Sequence, residues 1–166
     1  MFRLTLLLTS FVLSFSVFGQ APVSIGRIQA NAGIGLASIG VPIYLGFDYG
    51  FKKTITLGGE VSYSNYSERS NNLNYKISMV GVSANGNWHF NGLLPVPESV
   101  NLYTGLNLSY YNWTYPATYM ANNLSSVRLS IQVGARYSFN TNFALNFELN
   151  GSPANSGSKF GLTYKL

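Results

Sequence analysis

From Val127 to Phe139 the side chains alternate without a break: Val127, Leu129, Ile131, Val133, Ala135, Tyr137 and Phe139 are separated by Arg128, Ser130, Gln132, Gly134, Arg136 and Ser138. A period of two marks a β-strand whose two faces meet unlike surroundings. The same alternation runs through Ile28 to Leu36, Ile43 to Phe51, Ile55 to Tyr63, Val80 to Phe90, Val100 to Tyr110 and Phe143 to Leu149, and closes the chain at Phe160, Leu162, Tyr164 and Leu166. This pattern predicts eight strands. One segment departs from it, because Ile77 and Met79 have the opposite parity to Val80 and Val82. Either a bulge or emergence of the strand from its apolar surroundings would produce that slip.

The links between strands fall into two kinds. After the second, fourth and sixth strands come "KKT", "NGLLPVPES" and "NTN", two of them tight and one built around Pro95 and Pro97. After the third, fifth and seventh come segments centred on "ERSNNLN", "PATYMANNLSS" and "NGSPANSGS", whose Asn, Ser, Gly and Pro predict longer polar loops. Short turns at one end and longer loops at the other, on an even number of strands, is the layout of a β-barrel that crosses a membrane.

Charge placement tells this layout from a water-soluble barrel, which would invert the same pattern. Asp48, Glu60, Arg128, Arg136, Glu148, Lys165 and the single histidine, His89, all lie on the face opposite the apolar set. Only 9% of residues are charged, against about 25% in ordinary soluble domains. A wet exterior would need more charge than this along its strands, whereas one charge on a lipid face costs about 2–4 kcal/mol at the bilayer midplane. The apolar face is therefore expected to point outward. Aromatics are expected in two belts, Tyr49, Phe51, Trp88, Phe90, Tyr137, Phe139, Phe143 and Tyr164 at the short-turn end, and Tyr63, Tyr66, Tyr75, Tyr110, Tyr111, Trp113 and Tyr115 at the long-loop end.

Residues 1–19 read as a cleaved signal peptide: Arg3, an apolar run from Leu4 to Phe18, and Val17-Phe18-Gly19 before the cut. Residues 20–166 are then the barrel domain. There is no cysteine, which excludes disulfides, thiolate nucleophiles and cysteine metal sites. The net charge of +5 is scattered rather than clustered, so no nucleic-acid surface is indicated.

With the eight strands, the two aromatic sets and the terminal "GLTYKL", the chain resembles the small outer-membrane β-barrels of the OmpA-like or porin-family type. The resemblance implies an all-β, eight-stranded antiparallel up-and-down transmembrane barrel in the bacterial outer membrane, with the lipid bilayer and lipopolysaccharide as surroundings. It also implies that Phe160, Leu162, Tyr164 and Leu166 form the C-terminal signal read by the barrel-assembly machinery.

An eight-stranded barrel is just wide enough for side chains to fill it. Asp48, Glu60, Arg128, Arg136 and Glu148 are accordingly expected to form a polar network in the lumen. Around the turn at Thr141, Arg136 would lie opposite Asn146 and diagonal to Glu148. A narrow ion path lined by these groups is the alternative. No catalytic residue, cofactor site or metal site is expected, since His89 falls at the short-turn end with no evident Ser or Asp partner. The Tyr- and Asn-rich loops suit an extracellular ligand.

Overall fold

The computed structural model describes residues 24–37, 40–70, 73–116, 124–152 and 155–166; the expected signal peptide, residues 1–19, lies outside them. The chain folds into eight antiparallel strands: β1 (Ile28–Ala37), β2 (Ile43–Lys52), β3 (Ile55–Ser70), β4 (Leu73–His89), β5 (Val100–Thr114), β6 (Leu124–Ser138), β7 (Phe143–Ser152) and β8 (Asn155–Lys165). Each strand pairs with its neighbours in sequence, and β8 closes on β1. The seam runs from Gln29 opposite Lys165 to Ala37 opposite Gly157. The Leu166 N–H extends it by donating to the Ile28 carbonyl at 3.0 Å. Closure pairs both edges of the last strand, as a sheet in hydrocarbon requires.

The barrel is inside-out relative to a soluble one. Leu129 and Ile131 are each 61% exposed and Val133 49%, while Gln132 and Arg136 between and beyond them are buried. Tyr49, Phe51, Trp88, Phe139, Phe143 and Tyr164 ring the exterior at the short-turn end. Phe143 stacks on Phe139 and meets Tyr164 at a tilt, with ring centroids 6.2 and 5.0 Å apart. Because Ile131 lies mid-strand on the apolar exterior, Ile131→Arg is expected to destabilise the barrel in bilayers by about 2–4 kcal/mol. Urea titration of protein refolded in lipid vesicles checks this, with Ile131→Leu, which keeps the exterior apolar, as the control.

Two expectations are corrected. The long polar loops are mostly strand. β3 continues to Ser70 and β4 begins at Leu73, with Glu68 opposite Tyr75 and Arg69 opposite Asn74. β7 continues to Ser152 and β8 begins at Asn155. Of the three expected loops, only the segment between Thr114 and Leu124 separates its strands by more than two residues. The asymmetry lies instead in strand length: β3 to β6 have 16, 17, 15 and 15 residues, against 10, 10, 10 and 11 in β1, β2, β7 and β8. About five extra residues carry β3–β6 beyond the rest by about 17 Å of strand, as a four-stranded wall.

The second correction concerns the aromatic belt at that end. Only Tyr63 and Tyr110 are exposed on the outside. Trp113, with Ile77 and Met79, is buried inside the wall, and Tyr66, Tyr111 and Tyr115 pack against this cluster. Register from Ile55–Trp88 to Ser70–Leu73 is unbroken, so the parity slip at Ile77 and Met79 is no bulge. A register shift does occur in the neighbouring β2–β3 pair, between Gly50 and Lys52 of β2. Above Tyr63 and Tyr110 the outward positions become polar, with Asn65, Ser67, Lys76, Asn112, Thr114 and Ser125 all exposed. Polarity thus inverts at one height. Below it the sheet is greasy outside and polar inside; above it, the reverse, which is the pattern of a sheet standing in water.

Candidate functional site

The interior polar side chains form bonded groups stacked along the lumen. At the short-turn end His89 is buried between Thr56 of β3 and Asn101 of β5. Its Nε2 lies 3.0 Å from the Thr56 Oγ1 and its Nδ1 lies 2.8 Å from the Asn101 Oδ1. Asn101 Nδ2 donates to the Asn91 Oδ1 at 3.3 Å, which orients the amide. The Asn101 oxygen can only accept, so Nδ1 carries the proton and Nε2 accepts from the threonine hydroxyl. The sequence offered no Ser or Asp for this histidine; the fold supplies a Thr and an Asn from two other strands. Hydroxyl, imidazole and amide stand in the order of nucleophile, base and orienter. Thr56, however, is only 1% exposed, and a carbonyl cannot reach its oxygen. The trio ties β3, β4 and β5 together.

The central group is built on Asp48 of β2. Its Oδ2 accepts from Gln29 Nε2 at 3.0 Å, Asn31 Nδ2 at 2.8 Å and Arg136 Nη2 at 2.5 Å. Arg136 comes from β6, four strands away around the ring, so this ion pair spans the lumen. Its guanidinium also lies 4.7 Å from the centroid of the Tyr103 ring. On the same level Tyr44 donates to Asn146 at 2.7 Å, and Thr163 joins Asn146 to Asn31 through bonds of 3.0 and 2.7 Å.

Lys159 of β8 carries the next group. Its Nζ donates to both carboxylate oxygens of Glu60 at 2.7 and 2.8 Å and lies 3.3 Å from Glu148 Oε1. Tyr103 donates to the other oxygen of Glu148 at 3.1 Å. To do so the phenol must cross the strand between them. Tyr103, Gly134 and Glu148 occupy one rung of β5, β6 and β7, and a Cβ at Gly134 would overlap the Tyr103 ring. Glycine at 134 is thus what lets two polar side chains meet across an intervening strand. A parallel chain links Gln132 to Asn87 at 2.6 Å and Asn107 to Gln132 at 3.2 Å.

Of the five residues singled out for the lumen, the fold joins Asp48 to Arg136 and gathers Glu60 and Glu148 on Lys159. Arg136 does stand opposite Asn146, but it takes Asp48 across the barrel rather than its diagonal neighbour Glu148. Arg128 stays apart from the carboxylates. Its Nε donates to Ser126 Oγ at 3.1 Å and its guanidinium packs on Trp113 and Tyr111. Lys159 was missing from the expected set, although its parity, shared with Gly161, Thr163 and Lys165, places it on the inner face. Phe160, Leu162, Tyr164 and Leu166 are all exposed on the exterior.

The space left between these groups is small. A cavity of about 20 Å³ adjoins Asp48, Tyr103, Arg136 and Glu148, room for one or two waters. Arg136 and Glu148 both line it, and among the described residues Arg136 Nε and Glu148 Oε1 make no hydrogen bond, so a water there could serve polar atoms that are costly to leave alone. What the lumen does chemically is cross-link: its charges hold β2 to β6, and β8 to β3 and β7.

The geometry is that of small outer-membrane barrels. No protein-family model and no curated protein sequence matches the chain. Among solved structures, OprG of Pseudomonas aeruginosa aligns with a TM-score of 0.65 at 11% identity, over 91% of this chain and 99% of that one. The N-terminal β-barrel domain of OprF from the same organism aligns at 0.60 and 15%, over 86% and 98%. Ail, the attachment invasion locus protein of Yersinia pestis, aligns at 0.55 and 14%, over 86% and 100%. At these identities the likeness is one of fold. The chain is an all-β, closed, eight-stranded antiparallel up-and-down transmembrane barrel.

Proposed function

We propose that the protein is a non-enzymatic integral protein of the bacterial outer membrane with a structural or surface-interaction role. The observation that carries this reading is the inversion of polarity at one height. An apolar exterior band, with its charges paired inside, fits a bilayer, and the β3–β6 wall above it presents Asn, Ser, Thr and Lys76 outward to water. The interior supports a structural reading over a pore. Buried ion pairs and amides cross the lumen at several levels, and the cavity among the central pairs, about 20 Å³, has room for no more than one or two waters. The bilayer and lipopolysaccharide are the surroundings that this exterior suits. The exposed apolar set at Phe160, Leu162, Tyr164 and Leu166 suits recognition by the barrel-assembly machinery before the strand is sealed. An extracellular ligand would meet the wall and the segment between Thr114 and Leu124 rather than a set of long loops.

The narrow ion path remains a second reading because Lys159 is shared by two carboxylates, an arrangement with two alternative pairings. The test has two parts. The protein is expected in the outer-membrane fraction, with gel mobility in SDS that shifts on boiling; recovery in the soluble periplasmic fraction would refute the membrane reading. In planar bilayers it is expected to give no defined openings. Openings abolished by Glu148→Ala would replace the structural role with conduction.

A further inference from the structure

Where polarity inverts, the top of the polar lumen meets the underside of the apolar wall, and the inner faces of β3–β6 form one side of a chamber. Glu60, Ser83, Ser109 and Arg128 share a single rung across these four strands. One rung higher stand Ser62, Gly81, Tyr111 and Ser126, and above them Met79 and Trp113. The chamber has a volume of about 30 Å³ and is lined by the serines at 62, 83, 109 and 130 with Arg128 and Lys159. A second cavity of about 50 Å³, lined by Leu36 and Gly157 of the short strands and by Pro42 just before β2, shares Glu60, Ser62, Tyr111 and Lys159 with it.

Of the charged side chains that line this chamber, Arg128 and Lys159 outnumber Glu60. Glu60 is held in a two-oxygen grip by Lys159, and Glu148 is engaged by Lys159 and Tyr103. Arg128 has no carboxylate partner among the described residues. Its guanidinium lies 5.3 Å from the Trp113 ring centroid and 6.0 Å from that of Tyr111. Contact with two aromatic rings restrains the cation without using its N–H donors. Among the described residues only Nε is committed, to Ser126, leaving four of the five N–H groups without a partner there. Ser62, Ser83 and Asn150 line the same chamber and, among the described residues, make no side-chain hydrogen bond. A half-buried guanidinium beside free hydroxyls, with both nearby carboxylates held by Lys159 rather than by Arg128, has donors to spare for an anion.

We propose that the chamber binds a small oxyanion, a phosphate or sulfate group, with the Arg128 guanidinium as its anchor and the serine hydroxyls as further donors. Size limits the ligand. Room for about two waters accepts one tetrahedral anionic group and excludes a whole sugar ring. The group therefore enters either as a free ion or as the terminal phosphate of a larger molecule, such as a phosphorylated lipid headgroup, that remains outside.

The two tryptophans make the test direct, since Trp113 abuts Arg128 whereas Trp88 lies on the exterior at the opposite end. Protein folded in detergent micelles is titrated with inorganic phosphate at constant ionic strength, and separately with micelles containing lipopolysaccharide, while the two indole N–H resonances are followed by NMR. Saturable movement of the Trp113 resonance with Trp88 unmoved is expected. A response to free phosphate identifies the ion as sufficient, and a response to lipopolysaccharide alone identifies the headgroup as the source. Arg128→Gln, with folding verified by the heat-dependent gel shift, is expected to weaken the response about tenfold or more. Arg128→Lys, which keeps the charge but loses the planar fork, is expected to fall between. No saturable movement with either titrant overturns the proposal, as does a response that Arg128→Gln leaves unchanged.

Discussion

Asp48→Ala is expected to lower the stability of the folded barrel by about 3–5 kcal/mol, the range for removing one partner of a buried ion pair. The carboxylate is the acceptor for Gln29, Asn31 and Arg136 at once, and all three are buried with it. Alanine would leave a guanidinium and two amides without their acceptor, in a lumen too narrow to rehydrate them freely. Much of the loss is therefore the cost of the stranded Arg136 charge rather than the worth of the pair itself. This distinction can be measured. The double variant Asp48→Leu with Arg136→Met removes both charges and is expected to recover most of the deficit, leaving a residue from the orphaned amides. Urea unfolding in lipid vesicles, with the boiled-versus-unboiled gel shift as a check on closure, gives all three stabilities. If Asp48→Ala alone costs less than about 1 kcal/mol, the pair is not what joins β2 to β6.

That pair also shows how far the chain could be read without coordinates. Strand number, antiparallel order, closure of the last strand and the outward turn of Leu129, Ile131 and Val133 follow from parity and charge placement, because a one-residue slip would move every side chain to the wrong face. The same logic placed Asp48 and Arg136 inside. It could not pair them. Register between adjacent strands is a local property, whereas these residues are 88 positions apart on strands opposite each other in the ring. Sequence reasoning therefore reached for Glu148, the diagonal neighbour of Arg136, and missed that Tyr103 reaches Glu148 only because residue 134 is a glycine. Lys159 is legible by parity, but the apolar alternation of the closing strand is the stronger signal and says nothing of which inward residue meets a carboxylate.

The errors at the long-strand end have a single cause. Asn and Ser read as turn signals in "ERSNNLN" and "NGSPANSGS", yet outside a bilayer polar residues are what the water-facing side of a sheet should carry. The parity slip at Ile77 and Met79 held the corrective information. Emergence of the strand, one of the two explanations open at the outset, predicts that apolar side chains turn inward where lipid gives way to water, and the unbroken register leaves that as the account.

Trp113→Ala tests that account through a contrast between two parts of one sheet. Trp113 is 6% exposed and packs with Ile77 and Met79 above the polar lumen. Truncating a buried tryptophan to alanine costs about 3–5 kcal/mol, and here also removes a ring beneath Arg128. Where the loss appears depends on what the wall's backbone can do instead. Below Tyr63 and Tyr110 the strands lie in lipid and cannot give up hydrogen bonds without large cost; above them the freed amides meet water. The loss is expected as local opening of the upper parts of β3–β6, with the lower barrel still closed. Amide exchange of residues 64–68, 75–79 and 111–114 should quicken by orders of magnitude, with exchange at Leu106, Leu108 and Ile131 unchanged and SDS resistance retained. Uniform acceleration throughout the sheet would mean that the wall and the membrane-embedded strands form one cooperative unit, and that the inversion of polarity at Tyr63 and Tyr110 does not mark where the bilayer ends.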